Sequence, residues 1–160
     1  MKIRRSYNPD EVKRVFLNPE IFATIAEEGQ RPEDFEPDFS TEIYLAVEAE
    51  GTVVGFYALK VLSHAEMDIH AQILPEYRKH YSIESGFKVL EWFYKEAPER
   101  FQKLTAQVPF VYPNVKDFCL KCGMKIEGIN GLSYYKDGEL HDQWYFGITR
   151  QEIGKHYGLD

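Results

Sequence analysis

Cysteine is nearly absent from this chain: Cys119 and Cys122 are the two in 160 residues. A fold stapled by several disulfides is thereby excluded, and two thiols cannot close a four-ligand zinc site by themselves. Also missing is an apolar run of the ~18–20 residues that a membrane-spanning helix needs. The opening Met1-Lys2-Ile3-Arg4-Arg5 is basic, but no apolar stretch follows it, so we expect no secretion signal. The expected location is the cytoplasm, with both thiols reduced. Basic residues are in deficit, 19 against 26 acidic ones, for a net charge of −7. That balance excludes binding nucleic acid through the surface as a whole. Internal repeats and low-complexity tracts are missing as well.

What is there fits one ordinary globular domain over residues 1–160. The hydrophobic share of 44% and charged share of 28% allow a sizeable core under a polar surface. Aromatic residues are abundant, with 11 Tyr, 11 Phe and 2 Trp. Most strand aromatics pack; Tyr112, Tyr134, Tyr135, Trp144 and Tyr145 are the ones that could instead line a cleft.

Punctuation residues divide the chain. Lys2 to Arg5 reads as an opening strand. Asn8-Pro9-Asp10 and Asn18-Pro19 each start a helix, with Pro at its first position. The second helix is expected to continue to Glu28-Gly29. Arg31 to Ser40 is Pro-rich and acidic, a loop with one helical turn at most. Glu42 to Glu50 alternates, Gly51 turns and Thr52 to Leu62 returns, a hairpin signal. Lys103 to Val108 is a short strand, and Asn114 to Lys121 a helix closed by Gly123 as a left-handed cap. Met124 to Tyr135 and Leu140 to Thr149 are strands joined through Asp137-Gly138. The expected order is β-α-α-β-β-β-α-β-α-β-β, an α/β fold with a mixed sheet.

The richest stretch is His64 to Ala97. His64, Glu66, Asp68, His70 and Gln72 fall on one face of a strand that ends at Ile73-Leu74-Pro75. Four ionisable groups on one face are costly unless they pair or meet water. Arg78, Lys79 and His80 crowd the next turn. From Ser82, which suits an N-cap, Ile83, Phe87, Leu90 and Tyr94 form a helical stripe. The free N–H groups of such a helix start, beside a basic turn, suit a phosphate-bearing anion.

These residues resemble the GNAT acyltransferase superfamily. Ile73-Leu74-Pro75-Glu76-Tyr77-Arg78 is similar to the end of that family's fourth strand, V-x-P-E-Y-R, before the phosphate-binding R/Q-x-x-G-x-G/A. Phe118-Cys119-Leu120-Lys121-Cys122-Gly123-Met124 resembles its L-Y-E-K-L-G-F. Glu127-Gly128 and Tyr135 to Glu152 resemble the C-terminal hairpin of the branch that acetylates protein N-termini. They also resemble small phage-encoded relatives linked to head assembly. The resemblance implies a single GNAT-like domain, α+β in character, with six to seven mostly antiparallel strands flanked by helices. It implies acetyl-coenzyme A held by Gln72, Ile73, Leu74, Arg78, Lys79, His80, Tyr81, Ser82, Ile83 and Asn114. The acceptor would be an amine: a protein N-terminus, a lysine or a small amine. Tyr81 and Ile83 replace the family's small residues, and Cys119 stands where a proton-donating tyrosine is common. Those replacements support the alternative of a catalytically degenerate binding or head-assembly protein, with a homodimer or a phage or host protein as partner.

The amine must lose a proton, which makes Glu66, Asp68 and His70 the candidate bases, with Asp68 and His70 favoured by position. The other reading has the carboxylates solvated, or paired with His64 and His70. A metal is not expected, because residues two apart on a strand stand ~6.5–7 Å apart along it. Cys119 and Cys122 sit at the end of a helix, the wrong pole for an activated thiol. Small buried residues are the plainer reading, with Cys119 kept as a candidate near the leaving thiolate.

Overall fold

The computed structural model describes residues 1–26 and 28–159. Seven strands form one mixed, mostly antiparallel sheet in the order β1-β2-β3-β4-β5-β7-β6, accompanied by five α-helices. The chain divides into two compact units: Met1–Val61 with Ile69–Val89, and Leu62–Asp68 with Leu90–Asp160.

The first unit begins with β1 (Lys2–Ser6), α1 (Pro9–Phe16) and α2 (Pro19–Ile25). Asn8 and Asn18 cap these helices through their side chains, each followed by Pro, as the dipeptides predict. Helix α2 ends at Ile25, earlier than expected. The Pro-rich loop holds one 3-10 turn, Pro32–Asp34. Strands β2 (Glu42–Ala49) and β3 (Thr52–Val61) pair antiparallel about Glu50 and Gly51, whose φ values of 52° and 76° make the hairpin turn.

The alternation expected in β2 is not what the burial shows. Residues 44–47 and 53–59 are buried without a break, because both sheet faces are covered. Tyr44, Ala46, Phe56 and Ala58 join Val12, Phe16 and Ile21 in one cluster. On the other face, Tyr57 shares a hydrogen bond of 2.9 Å with Ser85 of α3 (Arg78–Glu96). Gly55 lies where β4 (Glu66–Ile73) comes closest: a Cβ there would stand 2.6 Å from the Gln72 carbonyl and 2.5 Å from Ile73 Cδ1.

In the second unit, Glu66–Asp68 pairs parallel with β5 (Lys103–Pro109). Helix α4 (Pro113–Lys121) closes at Gly123, with φ 88°. Strands β6 (Lys125–Lys136) and β7 (Glu139–Thr149) form a long hairpin at Asp137-Gly138. Helix α5 (Arg150–Tyr157) follows, an element the sequence reading lacked. Met67, Leu104, Phe146, Ile148 and Phe93 are buried in this unit.

Candidate functional site

In the first unit, the backbone of β4 ends where Leu74 N–H bonds the Val54 carbonyl at 2.9 Å, and Pro75 then closes the ladder. A 3-10 turn, Pro75–Tyr77, leads without a gap into α3 at Arg78. The helix therefore starts ahead of Ser82, and the expectation of Ser82 as N-cap is corrected. Pro75 supplies the helical φ early, and the polar Arg78–Tyr81 turn concealed the start. Amides from Ser82 onward fall inside the helix. Arg78 N–H is taken by the Pro75 carbonyl.

That first turn contains no acidic residue, whereas α1, α2 and α5 each place one there. It carries Arg78, Lys79 and His80 instead, all exposed. Cations at the positive end of a helix oppose its dipole. A 19-residue helix with this arrangement offers an electropositive end suited to an anion. Arg78 Nε donates to the Ile73 carbonyl at 2.9 Å, and its guanidinium stands 3.8 Å from Glu20. The Tyr81 phenol bonds the Glu50 carboxylate, which raises its pKa. Ser82 offers its carbonyl to Ser85 at 2.8 Å, and Ile83 is 36% exposed. Gln72 is half-buried, Ile73 and Leu74 are buried, and His70 is exposed.

In the second unit, Glu66 and Asp68 are both half-buried. Tyr145 Oη donates to Glu66 Oε1 at 3.3 Å, and Thr105 Oγ1 to Asp68 Oδ1 at 3.4 Å. His64 is corrected out of the strand. Leu62 and Ser63 N–H groups both reach the Glu66 carbonyl, closing a tight turn with His64 on it. The hydroxyl partners were invisible in the sequence. Tyr145 stood only among the aromatic candidates, and nothing singled out Thr105. Beside them Lys103 and Glu127 pair at 2.6 Å over Gly147.

Asn114 is exposed on the first turn of α4. Cys119 and Cys122 are free and buried. Burial pushes both thiols up to about 12, and Cys119, 5% exposed, packs as the small buried residue that its place on the helix suggested. Phe110 stacks on Trp144 with centroids 4.1 Å apart, and the Tyr112 and Tyr134 hydroxyls are 3.4 Å apart. Among the described residues no three His, Cys, Asp or Glu side chains converge as a metal site requires. No helix among them is long and apolar enough to cross a membrane.

A family profile described as "Protein of unknown function (DUF2824)" matches residues 3–155. The chain belongs to the DUF2824 family. No curated protein matches this DUF2824 chain. Solved structures do. The spermidine N-acetyltransferase from Vibrio cholerae, in complex with CoA and spermine, aligns with TM-score 0.78 and 16% identity, covering 95% of this chain and 96% of that one. An acetyltransferase of the GNAT family from Bacillus anthracis aligns with TM-score 0.70 and 18% identity, covering 93% and 94%. The DUF2824 chain is thus similar in fold to GNAT acetyltransferases over nearly its whole length.

Proposed function

We propose that this DUF2824 protein is an N-acetyltransferase that passes the acetyl group of acetyl-coenzyme A directly to an amine. The observation that carries the reading is the acid-free, triply basic first turn of α3 at the end of β4. There the diphosphate would meet the first turn of α3, with Arg78 and Lys79 supplying charge and His80 a ring N–H donor. Gln72, Ile73, Leu74, Tyr81, Ser82, Ile83 and Asn114 are the further residues that would hold the cofactor. Among the described residues, the pairing of β4 with β5 covers Glu66–Asp68 alone. Backbone N–H groups of Ala71–Ile73 are therefore candidates to polarise the thioester carbonyl. Glu66, Asp68 or His70 takes a proton from the acceptor's ammonium, directly or through water; the neutral amine then attacks the thioester carbon, the C–S bond breaks and coenzyme A leaves as its thiol. The acceptor is a protein N-terminus, a lysine or a small amine. The free, buried thiols fit a reducing cytoplasm.

Calorimetry with acetyl-coenzyme A tests this. We expect saturable heat, weakened about tenfold or more by Lys79→Glu through reversed charge at the phosphates. No heat and no thermal shift at millimolar ligand removes the enzyme reading. With binding in hand, acetylation of spermidine and of a peptide N-terminus is assayed. Asp68→Asn or His70→Ala should slow the competent reaction by about 10²–10⁴ if that residue is the base.

A second reading, a degenerate fold used for binding or phage head assembly, is favoured by Tyr81 and Ile83 where the GNAT pattern is small. Tyr81→Gly with Ile83→Gly improves cofactor affinity if the turn is merely crowded. Persistent absence of binding supports the assembly role.

A further inference from the structure

Strand β6, at the end of the sheet order, leaves large apolar side chains in water. Ile126 is 45% exposed, Ile129 61%, Leu132 63% and Tyr135 49%, and Leu140 on β7 is 54% exposed. Residues three apart on a regular strand point to opposite faces. Two bulges in β6 cancel that rule. Ile126 lies opposite Phe146, Ile129 opposite Trp144 and Tyr135 opposite Leu140. Positions 140, 144 and 146 share a face of β7, so their three partners share it too. Leu132 stands inside the second bulge at φ 48°. Phe146 on this face is fully buried. Trp144 on the same face is stacked on Phe110, so the apolar face begins in the core and emerges into water at Ile126, Ile129, Tyr135 and Leu140.

We propose that this row is the contact surface of a two-fold dimer of the chain, whichever reading of the acetyl-transfer site holds. The four side chains that register places on this face, each about half exposed, amount to roughly 450 Å², the size at which an apolar patch marks a contact. That is a little over half of the ~800 Å² per partner that a stable interface buries, and it matches the apolar share of such interfaces. The charges fit a second copy laid antiparallel. Asp137 and Glu139 outnumber Lys136 at the hairpin tip, while Lys121 ends α4 and Lys125 opens β6 at the other end. A two-fold axis across β6 brings the acidic tip of one copy onto the basic end of the other. Lys125 already pairs with Glu152 at 2.6 Å, which makes Lys121 the better cation for the tip. Addition of an extra strand is disfavoured. The bulge turns edge groups inward, Leu132 N–H to Asp142 Oδ1 and Ser133 Oγ to the Asn130 carbonyl, both at 2.8 Å. The contact is therefore through the apolar face.

Sedimentation velocity on the full chain at up to about 50 μM tests the proposal. The expected result is a dimer for the native chain and a monomer for Ile129→Glu with Leu140→Glu. Both positions are exposed, so the thermal melt of that variant should stay close to native. Asp137→Lys should weaken association about tenfold, and Lys121→Glu added to it should restore it. A native chain that is monomeric throughout, or a double glutamate variant as dimeric as the native chain, overturns the proposal.

Discussion

Cys119 and Asp68 show how surroundings decide a residue's chemistry. The thiol at 119 stands where the resemblance in sequence implied a proton donor, yet it is buried, and burial raises it to about 12. Cys119→Ser should therefore leave acetyl transfer within about twofold and cost about 1–2 kcal/mol of stability. Turnover assays beside chemical denaturation separate the two effects. A hundredfold rate loss at native stability would return Cys119 to the chemistry. Asp68 has the opposite character: it stays half-buried with a hydroxyl donor, Thr105, lying 37 positions away in the chain. No local pattern could have announced that partner.

At the scale of elements, Arg150 is the clearest dependency. The first residue of α5 donates to the carbonyls of Tyr94 at 2.6 Å, Phe101 at 2.9 Å, and Ala97 and Pro98 at 3.1 Å each. Its guanidinium also lies 5.0 Å from the Phe93 ring centre. These carbonyls end α3 and line the following turn, where acceptors lack helical partners. We expect Arg150→Met to cost about 2–3 kcal/mol, read as a lower urea midpoint at unchanged slope. Lysine should not rescue it, since one ammonium cannot span the fork. Most element boundaries were legible because Asn-Pro, Asp-Gly and Gly123 punctuate the chain. The misses have physical reasons. Helix α3 began early because its first turn is exposed and polar. Strand β2 lost its alternation because both faces are covered. Helix α5 was overlooked although Thr149 and Glu152 spell a capping box, which the structure forms.

For the whole molecule, the electrostatics set an acid limit. Glu152 accepts from Lys125 and from Thr149 N–H, and the Lys125 bond leads in holding its carboxyl at about 2, against an ordinary 4.5. A carboxyl depressed in the fold contributes fully above its unfolded value, and that contribution is lost as pH falls through the folded one. The window is therefore pH 4.5 down to about 2. Glu152→Gln should lower Tm by about 2 °C at pH 7, a small effect because the pair is partly solvated, and the gap should close by pH 2. A gap constant across that range would contradict this assignment. By itself the sequence determined the elements, nearly all of their order and the basic turn after β4, since these follow from period and punctuation along the chain. Only the tertiary structure decided that Tyr145 and Thr105 hold Glu66 and Asp68, and that the register of β6 aligns Ile126, Ile129 and Tyr135. Those outcomes depend on strand register between distant segments, and register is set by packing rather than by any one stretch of residues.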